Sequence, residues 1–348
     1  MGFIWFWLVA CMLVAYVVLD GFDIGVGILH LFLARNEQER QLTLRTIGPV
    51  WDGNEVWLIA GGGTLYFAFP LLYASAFSGF YLALTIVLWL LIMRGVAIEL
   101  RMQIAMGVWK SFFDGLFFFS SSLLAIFYGA ALANVVRGVP LRPDGYFFLP
   151  LWTNWRIGPH PGILDWYTVI EGVVALVALG VHGALYIAVK TEAELQLRAR
   201  KAAGTLWIAL FVLTVISLGA TLIARADTLV NYQGHRLTYA VPFIVLLSLV
   251  GMIYFSRKMV DRNAFACSCI YLTTMLVGAA IGLYPRLLPA TSGSAYDITV
   301  VNAISGPHTV HVGLIWWSFG MLLAIGYFVL VYRMFRGKVP LGAGGYEH

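Results

Sequence analysis

Charge is what this sequence lacks most. Of 348 residues, 22 are Lys or Arg and 17 are Asp or Glu, a charged share of 11%, against roughly 25% in soluble globular proteins. So few charges cannot cover the surface of a soluble fold of this length. That excludes a cytosolic enzyme, a nucleic-acid binder and a disordered chain. Cysteine is scarce too: Cys11, Cys267 and Cys269 lie in apolar runs. Cys267 and Cys269, two apart, point to nearly opposite sides of a helix, which speaks against a disulfide framework or a cysteine-based metal site. The sequence carries no Walker loop, dinucleotide-binding glycine fingerprint, Ser-His-Asp arrangement or metal-ligating His pair. No internal repeat or low-complexity segment is visible. The first apolar run starts at Phe3 with no charged segment before it and runs on to Asp20 and Asp23. It is therefore read as a membrane span and not as a cleavable signal.

What the chain has is apolar residues, 61% of the total, gathered in long runs. A membrane crossing takes about 20 mostly apolar residues, because a helix rises ~1.5 Å per residue and the hydrocarbon core is ~30 Å thick. Nine spans are expected, over 3–34, 50–75, 77–101, 112–136, 164–189, 203–224, 238–256, 264–286 and 309–335. They must be helical, since a lone helix satisfies its own backbone groups in lipid and the alternating pattern of a membrane barrel is missing. The fold class is thus an all-α polytopic membrane protein.

Cations orient the spans. The connections 35–49, 101–111, 190–202 and 257–263 and the tail hold fifteen Lys and Arg, among them Arg35, Arg40, Arg45, Lys190, Arg198, Lys201, Arg257 and Arg336. The opposite side holds Arg137, Arg142, Arg156, Arg225, Arg236 and Arg286, and Arg94 falls inside a span. Excess Lys and Arg mark the cytoplasmic side, so the N-terminus is expected outside and the C-terminus in the cytoplasm. The net charge of +5 reflects this bias.

Ionisable groups within spans are costly, by at least ~2.5–3.5 kcal/mol on insertion scales, and need a partner or a task. In the first span Tyr16, Asp20, Asp23, Gly27 and His30 fall within about 80° on a helix. They form one stripe of titratable groups in the inward half. Two neighbouring acids in a low dielectric do not both ionise freely, which is what a proton relay requires. The alternative is a packing face with each acid bonded to a neighbour. In the second span, Trp51-Asp52-Gly53-Asn54-Glu55 follows Gly48-Pro49. Proline suits a first helical turn, and acids there are favoured by the helix dipole, so capping competes with a functional role for Asp52 and Glu55.

In the third span Arg94 implies an acid from the first or second helix, and Glu99 is a further candidate charge partner. Glu171 and His182 share a face of the fifth span. A haem needs a well-placed axial His, so His182 is a candidate, with hydrogen-bonded packing as the alternative. His308 and His311 sit at the outer start of the last span, where solvation accounts for them. Gly21-xxx-Gly25 and Gly61-Gly62-Gly63 would let helices approach closely.

The strings LDGFDIGVG, GPVWDGNEVWLI, AFSGFYLAL and RGVAIELR, in that order over residues 19–101, resemble subunit II of the cytochrome bd-type quinol oxidases. The second half matches through Tyr284-Pro285 and the LPATSGSAYDIT loop. The resemblance implies a heterodimer in the bacterial cytoplasmic membrane that oxidises quinol and reduces dioxygen to water. Subunit I would hold the haems, two of b type and one of d type, and the quinol site. This chain would hold no haem ligand and would supply protonatable groups and water channels. The implied fold is two four-helix bundles plus a peripheral helix: 1–137 and 164–288 as bundles, 138–163 as an outer loop, and 289–348 as outer loop, ninth helix and tail. Motif positions are occupied by Asp20, Asp23, Trp51, Asp52 and Asn54, while Glu55 stands at a position open to Gln in relatives. Small single-helix subunits, a structural quinone and lipid are further expected neighbours. Two rivals remain at this point, a proton-coupled secondary transporter and a purely structural subunit. The crowding of buried charge into the first three spans, without a counterpart in the second half, speaks against the transporter.

Overall fold

A computed structural model describes residues 1–158, 160–234 and 236–340. Residues 341–348 of the expected tail, and the side chain of Arg236 counted among the outer cations, lie outside the described residues.

The protein is a bundle of helices: α1 (Gly2–Leu33), α2 (Glu37–Ile47), α3 (Trp51–Ala68), α4 (Pro70–Gly79), α5 (Tyr81–Leu100), α6 (Gly107–Arg137), α7 (Trp166–Lys190), α8 (Ala193–Ala224), α9 (Leu229–Gly234), α10 (Ala240–Arg257), α11 (Asp261–Leu283) and α12 (Pro307–Met334). Among the described residues, eight helices are long and apolar enough to cross a membrane. They are α1, α5, α6, α7, α8, α10 with the turn before it, α11 and α12.

The expected span 50–75 is not among the eight. It is broken into α3 and α4 at Phe69, because Pro70 lacks the N–H that would continue the ladder and instead opens α4 at its first turn. Asp52, Glu55 and three consecutive glycines also make α3 too polar to stand alone as a crossing. Two expected connections are helical. Segment 35–49 contains α2, whose start is capped by the Asn36 side chain accepting from the Glu39 N–H at 2.9 Å. Segment 190–202 contains the first turns of α8, so Arg198, Arg200 and Lys201 project from a helix.

α1 lies at the centre, packed against α3, α6, α7 and α11. Every residue from Asp20 to His30 is buried. The approach to α7 is closest at Gly25 and Gly183, where a Cβ on Gly25 would stand 2.1 Å from the Leu179 carbonyl oxygen and 2.7 Å from Gly183. The first glycine pair thus does allow close approach. Of the second signal only Gly61 faces a neighbouring helix, where a Cβ would stand 3.6 Å from Leu13 and 3.8 Å from Met12 of α1; a Cβ on Gly62 or Gly63 would meet nothing within 4 Å among the described residues. α12 lies at the periphery. Val310 is its one buried residue among those described.

The ends differ. At one end, α2 packs on α1 and α7 and reaches Arg101 at the end of α5 through Glu37; we refer to it as the α2 end. At the other, segment 138–165 packs on segment 284–306, with the Val139 N–H donating to the Pro289 carbonyl at 3.0 Å. There β1 (Arg286–Leu288) and β2 (Ile298–Thr299) pair antiparallel. α7 begins with a capping box of Asp165 and Thr168, and Asp165 also pairs with buried Arg137.

Candidate functional site

The site grows from the stripe on α1. Asp20 and Asp23, one turn apart, are fully buried. α5 brings Arg94 to Asp20, with Nη2 donating to Oδ1 at 2.7 Å and to Glu55 Oε2 of α3 at 3.2 Å. α3 also supplies Asn54, whose Nδ2 donates to Asp23 Oδ2 at 2.7 Å and to the Leu19 carbonyl at 3.3 Å. Its Oδ1 accepts from the Tyr332 hydroxyl of α12 at 2.8 Å. One turn further along α1, the Tyr16 and Tyr128 hydroxyls meet at 2.7 Å. Five helices thus converge on three carboxyl groups, two bonded by the Arg94 guanidinium and the third by the Asn54 amide.

This group is not fully partnered. Asp20 Oδ2, Asp23 Oδ1, Arg94 Nε and Arg94 Nη1 are buried and have no hydrogen-bond partner among the described residues. Buried polar atoms are nearly always bonded to protein or ordered water. Bare acceptors and donors side by side mark a place suited to water and to a proton held between groups.

Toward the α2 end lies a second group with the opposite character. Asp114 of α6 accepts from His30 Nε2 at 2.6 Å, Arg40 Nη1 at 2.9 Å and two nitrogens of Arg101. His30 Nδ1 meets Thr43 Oγ1 at 2.8 Å. Arg101 continues to Glu37, which Lys110 also bonds at 2.9 Å. Burial raises the Glu37 carboxyl, but hydrogen bonds from Arg101, Lys110 and Gln41 outweigh that and hold it at about 2. Arg198 closes the end of α1, donating to the Leu33 carbonyl at 2.6 Å and pairing with Glu39.

The structure brings together Asp20, Asp23, Glu55 and Arg94. Trp51 flanks them, its ring against Gly95. Asp52 sits in the first turn of α3 and is exposed in this chain. Glu99 is a correction: it is exposed and joins neither group. Five residues after Arg94 it lies about 140° around the helix, on the opposite flank. His182 does not fit an axial haem ligand. Its Nε2 donates to the Val18 carbonyl at 2.9 Å, its Nδ1 meets Ser268 Oγ at 2.7 Å, and its ring stacks on Phe265. With both nitrogens engaged and the ring fully buried, it is a packing residue tying α1, α7 and α11 together. Glu171, on the same helix, is bound by Ser217 at 2.7 Å.

Sequence reasoning missed Asp114, Tyr128 and Tyr332. For Asp114 the signal was available, an acid inside the apolar run Phe112–Phe119, the same signal that singled out Asp20. For the tyrosines none was, because an aromatic in a span reads as packing until its hydroxyl partner is known.

Residues 1–335 match the family model of cytochrome bd terminal oxidase subunit II. The chain belongs to that family. Relatives of this subunit II chain include cytochrome bd ubiquinol oxidase subunit 2 of Bacillus subtilis, 33% identical over 97% of this chain and 96% of the relative. Cytochrome bd-I ubiquinol oxidase subunit 2 of Escherichia coli is 31% identical over 89% and 87% respectively. A solved bd oxidase from Geobacillus thermodenitrificans shares the fold with a TM-score of 0.77, covering 96% of this chain and 98% of that one at 15% identity. With its long apolar helices, this member of the subunit II family is a multi-pass membrane protein.

Proposed function

We propose that the chain is the subunit of a terminal quinol oxidase that ligates no haem, and that it supports assembly and feeds protons from the cytoplasm toward the haems of subunit I. The partner would oxidise quinol and reduce dioxygen to water with haem b and haem d. The observation that carries this is the buried, incompletely partnered group Asp20–Arg94–Glu55 with Asp23–Asn54. A packing role alone does not call for three neighbouring carboxyls, two of them on one guanidinium, with four bare atoms. Engagement of both His182 nitrogens supports leaving haem ligation to the partner.

In this reading α3 and α4 together make the second of nine crossings, the N-terminus is outside, and the α2 end is cytoplasmic, as the cation bias supports. The membrane is the bacterial inner membrane. Residues 1–137 and 164–288 form the two bundles, joined by 138–163, with 289–348 carrying the peripheral helix. Exposed Asp52 then faces subunit I and continues the path across the interface. The apolar outer flanks of α8 and α12 meet subunit I, single-helix subunits, lipid or quinone.

Charge moves across the membrane without a pump if protons for oxygen reduction come from the cytoplasm while quinol protons leave outside. The test is Asp20→Asn and Asp52→Asn in the assembled complex. Oxygen consumption per assembled haem should fall by about 10²-fold, as for loss of a proton-transfer group, with the haem spectrum of the purified complex unchanged in shape. Unchanged turnover in a fully assembled variant would remove that residue from the path.

A further inference from the structure

The seam between α1 and α6 carries a hydroxyl that neither the packing nor the two charged groups account for. Ser121 is fully buried and its Oγ has no hydrogen-bond partner among the described residues. Its neighbour Ser120 does what a buried helical serine ordinarily does, donating back to the Leu116 carbonyl at 2.7 Å. Ser121 instead faces α1 at Gly27, where an added Cβ would stand 2.1 Å from Oγ. Gly27 is thus the position on the stripe that leaves room for a hydroxyl from the opposite helix.

The level of that hydroxyl matters. Gly27 is three residues from His30 and four from Asp23, or ~4.5 Å and ~6 Å of helix rise. One water between two oxygens spans ~5.5 Å, twice an O–H···O distance. Asp23 Oδ1 is buried and bare on the deep side of this gap. On the shallow side stand His30 and Asp114, with Arg40 reaching Asp114 from a partly exposed position.

We infer that Ser121, with ordered water on either side of it, links water at the level of His30, beside the fixed Asp114 network, to Asp23 and Asp20, so that protons enter the relay along the α1–α6 seam. In each step Ser121 Oγ takes a proton from water on the His30 side as it releases its own to water on the Asp23 side. One O–H bond forms as another breaks, and Asp23 Oδ1 is the acceptor. Ser121 is a link in transfer and touches no substrate. The inference rests on the proton-path reading above and specifies its inward mouth.

The decisive comparison is Ser121→Val against Ser121→Thr in the complete oxidase. The two side chains have the same shape, so any crowding at Gly27 is common to both and only the hydroxyl differs. Proton uptake and oxygen consumption in reconstituted vesicles should be about tenfold lower for the valine variant than for the threonine variant, with equal haem content and a larger solvent deuterium effect. Equal rates in the two, whether both normal or both impaired, would overturn the inference, since the hydroxyl would then carry nothing. If the valine variant does not assemble, Ser121→Ala takes its place, with a normal rate and normal deuterium effect as the overturning result. Asp23→Asn measured alongside separates the two claims. A slow Asp23→Asn with equal serine variants sinks only the Ser121 link, whereas a normal Asp23→Asn sinks the path itself.

Discussion

Two charged groups on the same helix, ten residues apart, are built in opposite ways. At the α2 end the Asp114 carboxylate accepts from His30, Arg40 and Arg101, and each oxygen is occupied twice. Around Asp20 and Asp23, each carboxyl takes one side-chain donor and leaves the other oxygen bare. A fully bonded buried ion network fixes the elements that contribute to it, here α1, α2, α5 and α6, and resists a change of protonation. A partly bonded one leaves room for protons and water to move. The same kind of residue in the same bundle thus serves as fastener in one place and as carrier in the other.

The largest effect expected from breaking this contrast is at the fastener. Asp114→Asn removes the charge facing buried Arg101, and opening such a network costs about 3–5 kcal/mol. The complex should largely fail to accumulate, read as lost haem absorbance in membranes. Asp23→Asn should instead leave thermal stability within about 1 kcal/mol, because the new amide still accepts from Asn54, while turnover falls. If both variants disappear alike, the distinction between the groups is wrong.

Between these lies acid sensitivity. Glu37 is held at about 2, and Asp227 at the other end, bonded by Arg225 and then Arg286, also at about 2. Both lie below the ordinary carboxylate value of about 4. A depressed folded value means the stabilisation is fully present above the unfolded value and is lost as pH falls toward the folded one. The unfolding temperature should hold above about pH 5 and decline steadily from pH 4 toward 2. Glu37→Gln should lower stability modestly at pH 7, by less than about 1 kcal/mol for a partly exposed pair, and flatten part of the acid decline. The smallest effect belongs to Glu99→Gln. It should change stability by less than about 0.5 kcal/mol and turnover not at all, which sharpens the assignment of Arg94 to Asp20 and Glu55.

Much of this was legible in the sequence for plain reasons. Apolar runs of membrane length give crossings, and the 100° step puts Tyr16, Asp20, Asp23, Gly27 and His30 on one face, which the structure buries together. The demand of a buried Arg94 for an acid pointed to the right helices. What misled were properties set by neighbours and not by the run itself. The segment 50–75 is apolar enough on average, but Pro70 divides it. The cations of 190–202 suggested a loop, yet Arg200 binds Asp261 of α11 at 2.7 Å and the segment stays helical. Glu99 already points away from Arg94 by helical rotation, and as a further charge partner it fails because it is exposed. Asp114 was overlooked because the phenylalanines around it hid a single acid.

Asn54 has a consequence for where charge can travel. Its amide gives to Asp23 on one side and takes from Tyr332 on the other, so its orientation is locked at both ends. An amide neither gains nor loses a proton near neutrality. The flank toward α12 is therefore insulated, like the sleeve of a wire, and whatever reaches Asp23 is confined to run lengthwise between α1 and its neighbours.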